Sequence, residues 1–251
     1  MAAPLVLPVD RPSLSTRVRR LVAGARRYPL ISIFFLVVVL IVPAIFADFL
    51  SPYSATEFVA TDRLTPPVWS GAESIDGVEI RRGGSWEHIL GTDKIGRDIL
   101  SRIMHGARIS LTISLLAILA GGVGGSVLGL AAGYFGGIAD HIVMRLVDVF
   151  ITIPALLLAL VLAIVLGPSF LTVVIVISII LWPRFARMCR AETLSIRSRD
   201  FVTRAKASGA GPLRIMFRHI LPNVVNPLIV LASLEVGHVI LLEATLSFLG
   251  A

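Results

Sequence analysis

The sequence predicts an all-α integral membrane protein, a polytopic bundle of helices. Of its 251 residues, 56% are hydrophobic and only 16% are charged, whereas a soluble domain carries charge on about a quarter of its residues. The mean hydropathy is +0.89, and the apolar residues come in long unbroken runs. Because a hydrocarbon layer about 30 Å thick requires roughly 20 apolar residues as helix, several of these runs are long enough to cross it.

Five apolar runs are predicted to be membrane spans. They cover residues 29–47, 107–134, 142–166, 169–183 and 224–249. Each must be helical, because lipid offers the backbone no hydrogen-bond partners. The first run is longer than the roughly 7–15 residues of a signal-peptide core, so we expect it to be retained. The fourth is short, but Arg184, Arg187 and Arg190 follow it at threefold spacing, which indicates a helix that continues into water.

The distribution of basic residues predicts the orientation. Segments 1–28 and 184–222 hold many Lys and Arg and few acids, whereas segment 48–106 has more acids than bases. Cytoplasmic loops are rich in Lys and Arg, so the first two segments are predicted inside and the third outside. Four crossings after a cytoplasmic N-terminus give the same placement. The C-terminus then falls outside on an apolar run, and we expect a truncated chain or a variant without a final span.

Composition also narrows the class of protein. The formal net charge of +7 would suit a nucleic-acid-binding protein, but the basic residues cluster beside apolar runs and no aromatic residues alternate with them. Membrane orientation explains them better, and no nucleic-acid partner is expected. A single cysteine, Cys189, excludes an internal disulfide and a cysteine-based metal site.

The cytoplasmic segment contains the most informative pattern, DFVTRAKASGAGPLRIMFRHILPN from Asp200 to Asn223. Two short helices are predicted around a glycine-rich turn, with small side chains that would let a partner approach the backbone closely. The alternative is an ordinary amphipathic loop on the membrane surface. The predicted docking residues are Thr203, Arg204, Ala205, Lys206, Ala207, Ser208, Gly209, Ala210, Gly211 and Pro212.

This segment resembles the "EAA" loop with which permease subunits of ABC importers dock into their ATPase subunits. Gly209 and Leu221-Pro222 stand at the family's spacing, and Ala205 is retained. Thr203 replaces the motif's glutamate, Arg204 its first alanine, and His219 its isoleucine. The stretches 88–111, 133–160 and 243–250 resemble the C-type permease subunits of dipeptide, oligopeptide and nickel importers. The resemblance covers most of the chain from residue 85 onward.

The resemblance implies a type I ABC importer permease fold with five spans present and the usual sixth missing. It also implies a bacterial inner membrane protein with a cytoplasmic N-terminus, a B-type permease partner, two ATPase subunits or one fused ATPase, and an extracytoplasmic substrate-binding protein. ATP and Mg would bind the ATPases, while this chain would bind no cofactor and hold no catalytic residue. The expected organisation is 1–28 cytoplasmic, 29–47 first span, 48–106 extracytoplasmic, and 107–251 permease core.

A glycine-rich run lies inside the second span. It lacks the Gly-Lys-Ser/Thr ending of a phosphate-binding loop, so no nucleotide site is predicted there. Glycines recur every four residues along it, at Gly121, Gly125, Gly129, Gly133 and Gly137. Stripes of small residues let helices pack at close range in lipid. The stripe predicts a packing seam, either within the subunit or against the partner permease.

Charged residues near the helix ends are predicted to form ion pairs. His88, Asp93, Asp98 and His105 match no compact metal-ligand spacing, so no metal site is predicted. Asp93 and Asp98 are instead expected to pair with Arg97 and Arg102 where the second helix begins. Arg145 and Asp148, one turn apart, are expected to form a local pair.

Three ionisable residues lie inside the fifth span: Glu235, His238 and Glu243. Charges at membrane depth usually face a bundle interior or a wet cavity. At 100° per residue the three fall within about 140° of one another, which predicts a polar side that lines a transport path. The alternative is that they bond neighbouring helices, or, for Glu243, that it reaches water.

Two functions compete with transport. An intramembrane enzyme would need Glu235, His238 or Glu243 as catalytic groups, without an accompanying nucleophile-base or metal motif. A membrane assembly subunit would have no path of its own. Among transport cargoes, peptides are predicted first, with nickel or a haem-like ligand as alternatives.

Overall fold

The computed structural model describes residues 34–57, 62–75, 78–81 and 83–249. The predicted cytoplasmic segment 1–28 and the beginning of the first span therefore lie outside the described residues. The chain divides into two compact units, Met1–Arg108 and Ile109–Ala251. The predicted all-α membrane fold is confirmed, and within the described part the helices greatly outnumber the strands.

The described part of the first unit begins with helix α1, Phe34–Ile45, which contains a π-helical turn at Val37–Ile41. A short helix α2, Ala47–Leu50, follows. Two antiparallel strands, β1 (Glu73–Ile75) and β2 (Val78–Arg81), form a small hairpin in the predicted extracytoplasmic segment. No strand was predicted there, although Val78 to Arg81 alternate apolar and polar residues and the Asp76-Gly77 pair before them is a typical hairpin-turn sequence.

Within the described residues, three continuous helices are long and apolar enough to cross a membrane. They are α3 (Ile99–Phe135), α6 (Phe170–Arg197), and the helical stretch Pro212–Phe248. The last consists of α8 (Pro212–Ile215), a π-helical turn at Met216–Ile220, and α9 (Leu221–Phe248). Helix α6 runs well beyond the predicted fourth span, as the spacing of its arginines indicated. The remaining short helix, α7, covers Asp200–Ala207.

The predicted third span over 142–166 is not one continuous helix. The chain forms α4 (Gly137–Thr152) and α5 (Ala155–Leu166), which meet at 91°. Pro154 has no N–H to continue the helix, and it disfavours helical backbone at Ile153 before it, whose ψ is 126°. Helix α5 alone, about 18 Å long at 1.5 Å per residue, is too short for the bilayer. The described residues therefore contain three spans, or four if the bent pair crosses as one.

The second unit has two buried apolar clusters. The larger holds α3, α5, α6 and α9 together through residues such as Ala117, Ala159, Ile177 and Val239. The smaller lies beneath the two short helices of the predicted cytoplasmic segment. Many large apolar side chains elsewhere are exposed, as expected of a surface that faces lipid or another subunit.

Candidate coupling surface and membrane path

The two predicted short helices are present, and a glycine joins them. At the end of α7, the N–H of Gly209 donates to the Lys206 carbonyl and the N–H of Ala210 donates to the Ala205 carbonyl. This pair of hydrogen bonds is a Schellman motif, which places the residue after the cap in the left-handed region. Gly209 has φ +80°. A glycine is favoured there because a side chain strains that backbone conformation.

The second short helix passes directly into a membrane span. Pro212 occupies the first position of α8, where its missing N–H is harmless. The helix then widens to a π turn, in which the N–H of Leu221 donates to the carbonyl of Met216. Pro222, which follows, cannot donate to Arg218 in the ordinary α-helical pattern. Because the turn bridges this defect, α8 and α9 remain one continuous helical stretch.

The two short helices and their turn, residues 200–220, are called the knob below. On its apolar side, Val202, Ile215 and Ile220 are buried, each at most 1% exposed. They pack in one cluster with Leu130 of α3 and Cys189 of α6. The knob is thus packed against α3 and α6 and is continuous with α9. A force on the knob would therefore be passed to these three spanning helices rather than absorbed by a loose loop.

The outer side of the knob is exposed and basic. Between its helices lies an open depression of about 450 Å³. The predicted docking residues Ala205, Ser208, Gly209 and Ala210 line this depression. Thr203, Arg204, Lys206, Ala207, Gly211 and Pro212 are exposed around it.

Three residues of the depression were not predicted as docking residues. They are Arg214, Arg218 and His219. The spacing of the two arginines, four residues apart on a helical stretch, is the signal that could have placed them on one face.

The glycine stripe of α3 lies against α6. A Cβ built on Gly121 would stand 2.7 Å from the Ser178 carbonyl oxygen, and one on Gly125 would stand 2.2 Å from that of Trp182. Gly129 meets the Ala186 carbonyl oxygen at 2.2 Å in the same way, and Gly133 meets the Cβ of Thr193 at 2.7 Å. All four glycines thus face a helix of the same chain, where only hydrogen fits between the backbones.

The three ionisable residues of α9 have different environments. Glu235 is buried, and both of its carboxylate oxygens accept hydrogen bonds from Nη1 of Arg184, at 2.8 and 2.9 Å. Glu243 accepts from Oγ of Ser110 at 2.7 Å. His238 is exposed. Glu235 and Glu243 therefore bond neighbouring helices, as the alternative to path lining predicted. Of the three, only His238 has an exposed side chain.

Comparison with known proteins identifies the family. Residues 125–251 match the sequence profile of the family described as "Binding-protein-dependent transport system inner membrane component". The chain belongs to this family. It is therefore an inner membrane permease component, and its all-helical spans agree with that assignment.

Curated relatives of this permease are 40–42% identical to it. The dipeptide transport system permease protein DppC of Escherichia coli K12 is 42% identical over 214 residues, which cover 85% of this chain and 68% of the relative. The di/tripeptide transport system permease protein DppC of Pseudomonas aeruginosa is 40% identical over 207 residues, 82% of this chain and 65% of the relative. The DppC protein of Haemophilus influenzae is 40% identical over 224 residues. The permease spans about two thirds of the length of these relatives.

The predicted pair of Arg145 with Asp148 is wrong. Asp148 instead accepts a hydrogen bond from Nη2 of Arg187, on α6, at 2.8 Å. One turn along α6, Nη2 of Arg190 donates to Asp140 at 2.6 Å. Helix α4 packs along the end of α6, so its acids Asp140 and Asp148 lie within reach of the long arginine side chains of α6. Arg187 therefore takes the place of Arg145 as the partner of Asp148.

The predicted ion pairs at the beginning of α3 are confirmed for Asp93. Its carboxylate accepts from Nε of Arg97 at 2.8 Å and from Nη1 of Arg102 at 2.7 Å. The pKa of Asp93 is held well below its ordinary value, chiefly because the backbone N–H of Arg97 donates to the carboxylate, although burial opposes the shift. Asp93 therefore stays charged and ties the turn before α3 to the helix.

Asp98 has a different role from the one predicted. It is buried and caps α3, because its carboxylate accepts from the backbone N–H and the Oγ of Ser101, both at 2.7 Å. Its other oxygen lies 3.0 Å from Nδ1 of His88, so its partner is a histidine rather than an arginine. In the part of the chain that the structure describes, no three His, Cys, Asp or Glu side chains are grouped to hold a metal ion.

Proposed function

We propose that this permease forms half of the path through which an ATP-driven importer moves dipeptides or oligopeptides across the bacterial cytoplasmic membrane. The names of its relatives support the peptide cargo. The continuity of the knob with α9 supports the coupling role, because movement of the knob must move a spanning helix with it. ATP hydrolysis would take place on partner ATPases, and this chain would supply contact and shape rather than chemistry.

The expected assembly holds a B-type permease, two ATPase subunits or one fused ATPase, and an extracytoplasmic substrate-binding protein. ATPase closure would press on the exposed side of the knob and switch the path between outward and inward openings, which is a rigid-body two-state transition. The basic character of residues 184–222 and 1–28 supports a cytoplasmic position for both. ATP and Mg would be bound by the ATPases alone.

The coupling role predicts that Gly209→Trp separates ATP hydrolysis from uptake. An indole at the centre of the depression would prevent close approach by the ATPase. The measurement is peptide uptake and substrate-stimulated ATPase activity of the assembled transporter in proteoliposomes, with membrane insertion checked separately. We expect the amount of peptide taken up per ATP hydrolysed to fall by at least about tenfold. This change corresponds to the loss of a contact worth about 1.4 kcal/mol.

Gly167→Trp is the matched control for this variant. Gly167 has φ +79°, close to the φ of Gly209, and nothing lies within 4 Å of either built Cβ. It terminates α5, away from the knob. The control variant has the same backbone strain as Gly209→Trp but lies away from the knob. We therefore expect it to take up as much peptide per ATP hydrolysed as the wild type. Normal uptake and ATPase activity in Gly209→Trp would contradict the docking role.

A further inference from the structure

A smaller cavity, of about 220 Å³, lies at the bend between α4 and α5. All the side chains that line it are apolar except one, and they include Phe150, Ile153, Pro154 and Leu158. The exception is Arg184 of α6. A guanidinium beside apolar side chains is the arrangement expected of a site that orients one charged group and accepts an apolar one.

Three of the five N–H groups of Arg184, which lines this cavity, are on nitrogens that do not bond Glu235. Nη1 makes both of its bonds to Glu235. Within the described residues, Nε and Nη2 have no hydrogen-bond partner. These two nitrogens form the edge of a guanidinium that receives a carboxylate through two parallel hydrogen bonds. The Arg184 side chain is 40% exposed and that of Glu235 only 7%, so the buried acid holds the arginine in place while the free edge remains accessible.

Arg184 lies at the inner end of the predicted fourth span. It is 14 residues after Phe170, or about 21 Å along the helix, and it is the first residue of the predicted cytoplasmic segment 184–222. Ionisable groups at the ends of spans and in bundle interiors typically face a water-filled cavity or a substrate pathway.

We propose that this cavity binds the C-terminal residue of the transported peptide. Nε and Nη2 of Arg184 receive the terminal carboxylate, and the apolar walls receive the last side chain. A volume of 220 Å³ equals that of about seven water molecules, which suits one residue rather than a whole peptide. The inference rests on the proposed function, since it assigns a subsite to the same cargo.

The test compares uptake of Ala-Leu with uptake of Ala-Leu amide by the assembled transporter in proteoliposomes. The amide lacks the terminal charge, and every assay contains the same binding protein at a saturating concentration. A change in the uptake ratio between variants therefore originates in the permease. We expect the preference for the free acid to fall by about tenfold or more in Arg184→Met/Glu235→Met, as for a lost hydrogen bond to a charged group. The double substitution avoids leaving Glu235 buried without a partner.

Two further variants complete the test. Arg187→Met removes an arginine three residues along α6 that pairs with Asp148, and we expect it to leave the ratio unchanged. Ile153→Trp fills the cavity without touching the ion pair, and we expect it to favour Ala-Gly over Ala-Leu by about tenfold. If both the acid/amide ratio and the Gly/Leu ratio stay at wild-type values, the subsite proposal is overturned. If the wild-type transporter takes up no peptide at all, the proposed function itself fails.

Discussion

At the scale of single residues, the backbone determines which side chains are possible. Three glycines of α3 face carbonyl oxygens of α6 at distances that exclude a methyl group. Gly209 is required for a different reason, because its φ of +80° closes the turn of the knob. Both requirements follow from glycine's lack of a Cβ, but the first concerns packing between helices and the second concerns local conformation.

Gly125→Leu is expected to destabilise the permease by about 1–3 kcal/mol or more, in the range of overpacked cores. A Cβ at this position would stand 2.2 Å from the carbonyl oxygen of Trp182, so α3 and α6 would have to separate. The measurement is the thermal unfolding temperature of the protein purified in detergent. Gly124→Leu is the control, because nothing lies within 4 Å of its built Cβ. Equal melting temperatures for the two variants would contradict the close packing of α3 and α6.

Asp93 should stabilise the protein in a pH-dependent manner. Its folded-state pKa lies below the ordinary value of 3.8, so its contribution is complete above that pH and is lost as the pH falls through the folded-state pKa. We therefore expect Asp93→Asn to melt at a lower temperature than the wild type at pH 5–8, with a difference that shrinks below about pH 4. Glu57→Gln, at an exposed position, should show no such difference. A difference that grows on acidification would contradict this account.

At the scale of secondary-structure elements, the knob and the bent pair α4–α5 are both fixed by their packing on α6 and its neighbours. The sequence predicted the knob because its signals are local: a glycine after a short amphipathic helix and a proline at the next helix start. It did not predict the bend at Pro154, because prolines are tolerated within membrane helices when neighbours satisfy the freed groups. The partner of Asp148 was likewise beyond local reasoning, since Arg187 reaches it from 39 residues away.

The two ion pairs between α4 and α6 should differ in strength. Asp140 and Arg190 are 18% and 30% exposed, whereas Asp148 and Arg187 are 58% and 52% exposed. Asp140→Asn should therefore destabilise the permease by about 1–3 kcal/mol, and Asp148→Asn by less than about 1 kcal/mol. Thermal unfolding of both variants at low and at high salt tests this, because only the exposed pair should be screened strongly. A larger loss in Asp148→Asn would contradict the order.

At the scale of the whole molecule, the permease combines a charged knob, a packed helical scaffold and a buried ion pair between α6 and α9. Apolar runs and basic segments were sufficient to predict a multi-span membrane protein, since both reflect the bilayer directly. The permease role was predicted from the resemblance of stretches such as 88–111 and 133–160 to a known family. The glycine stripe predicted close packing, but the choice of α6 as its partner required the structure. The pairing of Glu235 with Arg184 could not be predicted, because the two residues are 51 positions apart on different helices.

Site-directed labelling shows on which side of the membrane the knob lies. In a Cys189→Ser background, Ser208→Cys places a thiol on the exposed side of the knob, and Glu87→Cys places one in segment 48–106. A membrane-impermeant maleimide should label Ser208→Cys in inside-out vesicles and not in intact cells, and Glu87→Cys should show the opposite pattern. Labelling of Ser208→Cys from outside intact cells would contradict a cytoplasmic coupling surface.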